Sequence, residues 1–146
     1  MDASCISIIA ALQHFRRPDV SVDGEDVTVY SLAEREPLPI SLMHHPLCIT
    51  FSFYHGGEMM LLDATLREEQ ARDGEMIITM NRHGELCQIG KLGGVPVDAL
   101  LLLGCMNMAL GRVKEITELI STKMKEDSTT RDVGGLIAEL SAQNDR

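Results

Sequence analysis

Tryptophan is absent from this 146-residue sequence, and two Tyr and three Phe hold the aromatic fraction to 3%. Leu, Ile, Val and nine Met must therefore fill the interior, and Met fills irregular gaps while defining them weakly. Basic residues are also few: thirteen Lys plus Arg stand against twenty-two Asp plus Glu, a net charge of −9. That balance argues against a module that grips nucleic acid by itself, because phosphate binding uses a basic face. It bounds the whole chain and not a local patch, and an acidic subunit can sit beside basic partners. No C-x-x-C pair occurs among Cys5, Cys48, Cys87 and Cys105, which excludes the usual zinc spacings and predicts four reduced, buried thiols. The longest apolar run, residues 99–103, falls far short of the ~18 residues that span a bilayer. The N-terminus has neither a basic region nor a cleavage site, so no signal peptide and no membrane are expected, and the compartment reads as reducing and aqueous. No P-loop, G-x-S-x-G or H-E-x-x-H is present.

What is present, 45% hydrophobic and 24% charged residues with twelve Gly and five Pro, is the profile of one soluble domain large enough to build a core. Asp2 precedes apolar positions at Cys5, Ile8, Ile9 and Leu12, with Arg16 and Arg17 before Pro18, so a capped helix is predicted over 3–16. An Asp23-Gly24 turn signal followed by Val27-Thr28-Val29-Tyr30 reads as a strand, and Pro37 and Pro39 mark an extended segment. Residues 46–54 and 58–62, joined through His55-Gly56-Gly57, predict a hairpin. Residues 76–80 and 86–89, joined through Asn81-Arg82-His83-Gly84, predict a second. The charged stretch 63–74 between them is expected to hold a turn of helix. From Asp98, a plausible N-cap, Leu102, Met106, Ala109, Val113, Ile116 and Ile120 step along one face of a long helix. A break is expected at Asp127-Ser128-Thr129-Thr130, with Leu136, Ile137 and Leu140 as a short amphipathic turn in a weakly structured tail. The fold class is α+β with mostly antiparallel pairing. The first helix has two apolar sides, which is more than one small sheet easily covers.

The strongest cluster for chemistry is Asp63, Glu68, Glu69, Asp73 and Glu75, since carboxylates so spaced can hold a divalent ion for phosphoryl transfer. The plainer reading is a solvated loop in which Arg67 and Arg72 pair with these acids. His44 and His45 are adjacent in an extended segment and point to opposite sides, so they do not share one ion. His14 and His83 read as exposed residues at a helix end and a turn. Lys91-Leu92-Gly93-Gly94 is a weak phosphate-loop signal.

Several strings together resemble the ribonuclease PH-type ring subunits of the eukaryotic RNA exosome, in particular those of the polymyositis/scleroderma autoantigen 1 type. They are His14-Phe15-Arg16-Arg17-Pro18-Asp19-Val20, Glu36-Pro37-Leu38-Pro39-Ile40-Ser41-Leu42, Leu62-Asp63-Ala64-Thr65 with Arg67-Glu68-Glu69, and Val113-Lys114-Glu115-Ile116-Thr117-Glu118-Leu119-Ile120. The likeness covers residues 1–125 in order and only the C-terminal half of a full domain. It implies a ribonuclease PH-like fold (ribosomal protein S5 domain 2-like), with the end of the first subdomain at 1–45, the second subdomain at 46–125 and a tail at 126–146.

Active relatives of that family are phosphorolytic: inorganic phosphate attacks the 3′-terminal phosphodiester of RNA and releases a nucleoside diphosphate. The resemblance puts Asp2 where their phosphate-holding Arg stands, a reversal of charge that should abolish the site. It puts Glu69 and Glu75 at the positions of their metal-binding Asp pair, where the extra methylene misplaces the oxygen. The implied protein is a non-catalytic ring subunit supporting 3′→5′ RNA processing and degradation, with no catalytic residue, metal or cofactor of its own. Its implied partners are the other ring subunits, cap subunits and RNA threaded through the ring, in the nucleus, nucleolus and cytoplasm. Arg16, Arg17, Arg82 and Lys91 are the expected contacts to RNA or to neighbouring subunits. The alternative is a phosphorolytic exoribonuclease subunit using a divalent metal.

Overall fold

The computed structural model describes residues 1–31, 34–91 and 93–134. Leu92, Leu136, Ile137 and Leu140, singled out above, lie outside them. Two compact units are present, one formed by Met1–Ile9 with His44–Leu119 and the other by Ala10–Met43 with Ile120–Arg146. The expected α+β class is found, and among the described residues every strand pair is antiparallel.

The first unit is organised by a four-stranded sheet. Its strands are β5 (Leu47–Tyr54), β6 (Met59–Leu62), β7 (Gly74–Met80) and β8 (Leu86–Lys91), in the order β6-β5-β7-β8. Both predicted hairpins form, β5 with β6 and β7 with β8. The long pairing of β5 with β7, from Leu47↔Met80 to Phe53↔Gly74, joins them. Because strand side chains alternate, Leu47, Ile49, Phe51, Phe53, Met76, Ile78 and Met80 share one face, all of them buried. Helix α3 (Ala99–Gly134) covers that face with Cys105, Ala109 and Val113, which are fully buried. Cys105 donates to the Met60 sulfur at 3.4 Å, and Leu110 lies against the Gly84 turn. The predicted Asp98 cap is real: its carboxylate accepts from the Leu100 N–H at 3.3 Å.

The opposite face of the sheet carries Cys48, Thr50 and Ser52, and the first turns of α1 (Asp2–His14) tie to it. Cys5 donates to the Pro46 carbonyl at 3.6 Å and Asp2 bonds Thr50. The short helix α2 (Leu66–Ala71) supplies the expected helical turn between the hairpins. Four buried thiols were expected, but Cys48 and Cys105 alone are buried, while Cys5 is half-buried and Cys87 is exposed. Cys87 lies on β8, an edge strand whose two faces both meet solvent over most of its length.

In the second unit, β2 (Val20–Asp23) and β3 (Asp26–Val29) form a hairpin whose tight turn holds Gly24 at φ 64°. β1 (Arg16–Arg17) pairs with β4 (Leu38–Pro39). The helix predicted over 3–16 therefore stops at His14, because Arg16 and Arg17 are in a strand and Pro18 disfavours helical geometry before it. The dipole argument survives in another form: the Arg16 guanidinium donates to the carbonyls of Gln13, His14 and Phe15 at 2.8, 3.1 and 3.1 Å, capping the helix end. The break expected at 127–130 is absent, since α3 continues to Gly134. There Ser128, Thr129 and Thr130 return their hydroxyls to the carbonyls of Lys125 and Glu126 within the helix, at 2.8 to 2.9 Å. Among the described residues no helix is long and apolar enough to cross a membrane.

Candidate functional site

Asp2 stands at the first turn of α1, where a carboxylate suits the positive end of the helix dipole. Its oxygens turn to the sheet instead of the helix amides. One accepts from the Thr50 hydroxyl at 2.6 Å and the other from the Thr50 N–H at 2.8 Å. Both bonds are charge-assisted and near the short end of the ordinary range. Beside them opens a cleft of about 580 Å³ lined by Asp2, Thr50, Asp63, Arg112 and Glu115 with neighbouring apolar side chains. Arg112 is held by Glu115 at 2.7 Å. Three carboxylates therefore face one guanidinium that is already neutralised. A phosphate entering here would meet repulsion from Asp2 and Asp63 and no free cation.

The acidic stretch is used locally. The Glu68 carboxylate accepts from both the hydroxyl and the N–H of Thr65 at 2.7 Å, closing the first turn of α2. Those bonds, the hydroxyl's first, hold Glu68 below the usual carboxylate range. Asp73 accepts from the Gly56 N–H at 3.0 Å. Glu75, on β7 opposite Ser52, is ion-paired with Arg72, as the plainer sequence reading had it. Glu69 is exposed on α2. Among the described residues, no group of three or more His, Cys, Asp or Glu is placed to hold a metal ion.

The four basic residues singled out by sequence have different fates. Arg16 is committed to the carbonyls that end α1, and Lys91 donates to the Gly93 carbonyl at 2.7 Å. Arg17 is exposed on β1. Arg82 projects from the β7–β8 turn into a small cleft with Lys114, Thr117 and Glu118. The Gly93-Gly94 pair has a packing role. Gly94 has φ 75°, and a Cβ there would lie 2.5 Å from the Asp73 carbonyl oxygen and the Gly74 Cα. His14 lies 3.2 Å from Asp127, and His44 and His83 are exposed. Sequence reasoning missed Thr50, Arg112 and Lys114. The alternation of β5 and the stepping of α3 place these residues, but their neighbours come from elements distant in the chain.

Residues 44–112 match the profile of the 3′ exoribonuclease family, domain 2. Over all of its length the chain is 43% identical to exosome complex component rrp45 of Schizosaccharomyces pombe and 40% identical to exosome complex component RRP45 of Saccharomyces cerevisiae. Over 92% of its length it is 44% identical to exosome complex component RRP45 of Homo sapiens. It spans about half the length of the two yeast proteins, 50% and 51%, and 31% of the human one.

Proposed function

Because residues 44–112 match the 3′ exoribonuclease family, domain 2, we propose that the chain serves as a non-catalytic ring subunit of the RNA exosome. Its homologues are named exosome complex components, and the family resemblance supplies the ring. In this reading the chain adds its subdomains, 1–45 and 46–125, to a wall through which RNA is threaded for 3′→5′ processing and decay. It acts in the nucleus, nucleolus and cytoplasm, beside other ribonuclease PH-type subunits and cap subunits. Arg17 and Arg82 are offered to RNA or neighbours, while Arg16 is committed to the carbonyls that end α1 and Lys91 to the Gly93 carbonyl.

The observation that carries the non-catalytic part is Asp2. Phosphorolysis needs a cation that holds inorganic phosphate while its oxygen attacks the terminal phosphorus. The bond to the 3′ oxygen of the preceding nucleotide then breaks, and a nucleoside diphosphate leaves. At the position where the family resemblance expects that cation, this chain has a carboxylate held by two bonds from Thr50. The degenerate pair Glu69 and Glu75 adds no second route, as Glu75 is neutralised by Arg72.

The test is incubation of the assembled complex with 3′-hydroxyl RNA and inorganic phosphate. No nucleoside diphosphate is expected from this subunit, and Glu69→Ala should change nothing. Diphosphate release that disappears with Glu69→Ala would establish the phosphorolytic alternative.

A further inference from the structure

We infer that Arg82 and Lys114 together form a subsite for the phosphodiester backbone of single-stranded RNA, a reading that rests on the chain's place in an RNA-handling ring.

The site is built from two elements pinned to each other. The turn after β7 is clamped by Asn81, which is 4% exposed. Its side-chain oxygen accepts from the N–H groups of His83 and Glu85, both at 3.0 Å, and its amide nitrogen donates to the Glu85 carboxylate. Gly84, at φ 86°, brings this turn against Leu110 of α3. Lys114 is four residues beyond Leu110 and Glu118 four beyond that, so all three share one stripe of the helix. Arg82 from the turn and Lys114 from the helix therefore line one cleft of about 240 Å³, with Thr117 and Glu118. The turn needs no rearrangement to present its guanidinium.

Charge makes this cleft unusual in an acidic chain. Arg35, Arg72, Arg112 and Lys123 are each spent on a carboxylate. Arg82 and Lys114 have no ion pair or hydrogen bond among the described residues. Glu115 is ion-paired with Arg112, Glu85 accepts from the neutral Asn81 amide and keeps its charge but does not line the cleft, and the Thr117 hydroxyl is given to the Val113 carbonyl at 2.7 Å. Among the side chains that line the cleft, Glu118 is the one carboxylate against Arg82 and Lys114, so the lining itself is net positive within a chain whose sum is −9.

The lining also decides between kinds of partner. A protein interface has an apolar, aromatic-rich centre, and this cleft has only polar and charged side chains. Without an aromatic ring it offers no stacking platform for a base. What remains is a fork of planar guanidinium and mobile ammonium, which matches phosphate oxygens and ignores sequence.

The experiment uses the complex after its mass has confirmed that this chain is in it, so a failure of the cleft leaves the ring assignment standing. The affinity of a single-stranded oligouridylate is measured across a salt series for the unaltered complex, Arg82→Ala, Lys114→Ala, the pair, and Arg67→Ala as a charge-loss control on α2. The pair should weaken binding several-fold and lower the log–log salt slope by about 1.4, since each lost phosphate contact on a single strand removes about 0.7. Glu118→Gln should tighten binding, a change that a purely structural role would not produce. RNA should also shield Lys114 from acetylation. Unchanged affinity and slope with Lys114 unshielded would overturn the proposal. So would loss of the chain from the complex when both cations are removed, because that outcome assigns the cleft to an acidic neighbouring protein.

Discussion

Cys48 sits on the central strand of its sheet at 6% exposure. Burial, followed by its contact with Cys5, pushes its thiol up to about 12. Cys105, beneath α3, is pushed up by burial as well. The thiolate is the reactive form, so at pH 8 both residues are held as protonated, covered thiols. Cys87 on the edge strand is exposed, with only a weak bond to the Glu85 carbonyl at 3.7 Å. Iodoacetamide at pH 8, read by peptide mass, should modify Cys87 first and leave Cys48 and Cys105 untouched until denaturant is added. Raising the pH to 10 should not release Cys48, whose raised pKa still lies above it. Labelling of Cys48 at the rate of Cys87 would contradict this burial. The sequence carried the first part of the result, four unpaired thiols, and not their sorting. Which strand lies at an edge is decided by the β5–β7 pairing, and no local pattern records it. Asp2 teaches the same thing. Its charge is legible at once, but its partner Thr50 lies 48 residues away, so the bond that fixes the carboxylate is a product of the fold.

At the scale of elements, the glycine pair after β8 sets the sharpest constraint. Gly94 lies backbone against backbone with Asp73 and Gly74, where an added Cβ would come within 2.5 Å of atoms that cannot swing away. Its φ of 75° adds strain for any other residue. Gly94→Ala is therefore expected to cost about 2 kcal/mol or more, read as a lower denaturation midpoint. Gly24→Ala at the exposed hairpin turn, where nothing lies within 4 Å, should cost only its φ strain, about 1 kcal/mol. Equal losses at the two positions would refute the close-packing account. The hairpins themselves were plain in the sequence, because alternation in 46–54 and 76–80 and the turn residues between strands are local signals. Helix ends were less plain. Two arginines before Pro18 look like a last helical turn, yet Arg16 caps α1 from outside it. A run of Ser and Thr looks like a break, yet their hydroxyls bond back to carbonyls one turn earlier and α3 runs on. At the end of α1 a side chain supplies the partner that the backbone no longer does, whereas in α3 the hydroxyls are satisfied on carbonyls of the helix itself and do not compete with its continuation.

At the scale of the whole molecule, the question is what covers the apolar surface that remains. In the β2–β3 hairpin, Val20 pairs with Val29 and Val22 with Val27, so four valines occupy one face of a two-stranded ribbon. Val22, Val27 and Val29 are 68%, 63% and 61% exposed. A lone hairpin is marginal in water, and a contiguous valine face is the kind of patch that meets another surface. In the other unit, Leu86 and Ile89 are exposed on the unpaired edge of β8, which is a second template for association. The chain on its own is therefore expected to associate as its concentration rises and to melt broadly, the behaviour of a component and not of a finished unit. Sedimentation velocity over a concentration series tests this. Replacing Val22, Val27 and Val29 together by Thr keeps β-branching and strand propensity while removing the apolar face. That variant should shift the boundary toward monomer without loss of strand signal in circular dichroism. A wild-type chain that stays monomeric at every concentration and melts in one sharp transition would show that the valine face needs no cover.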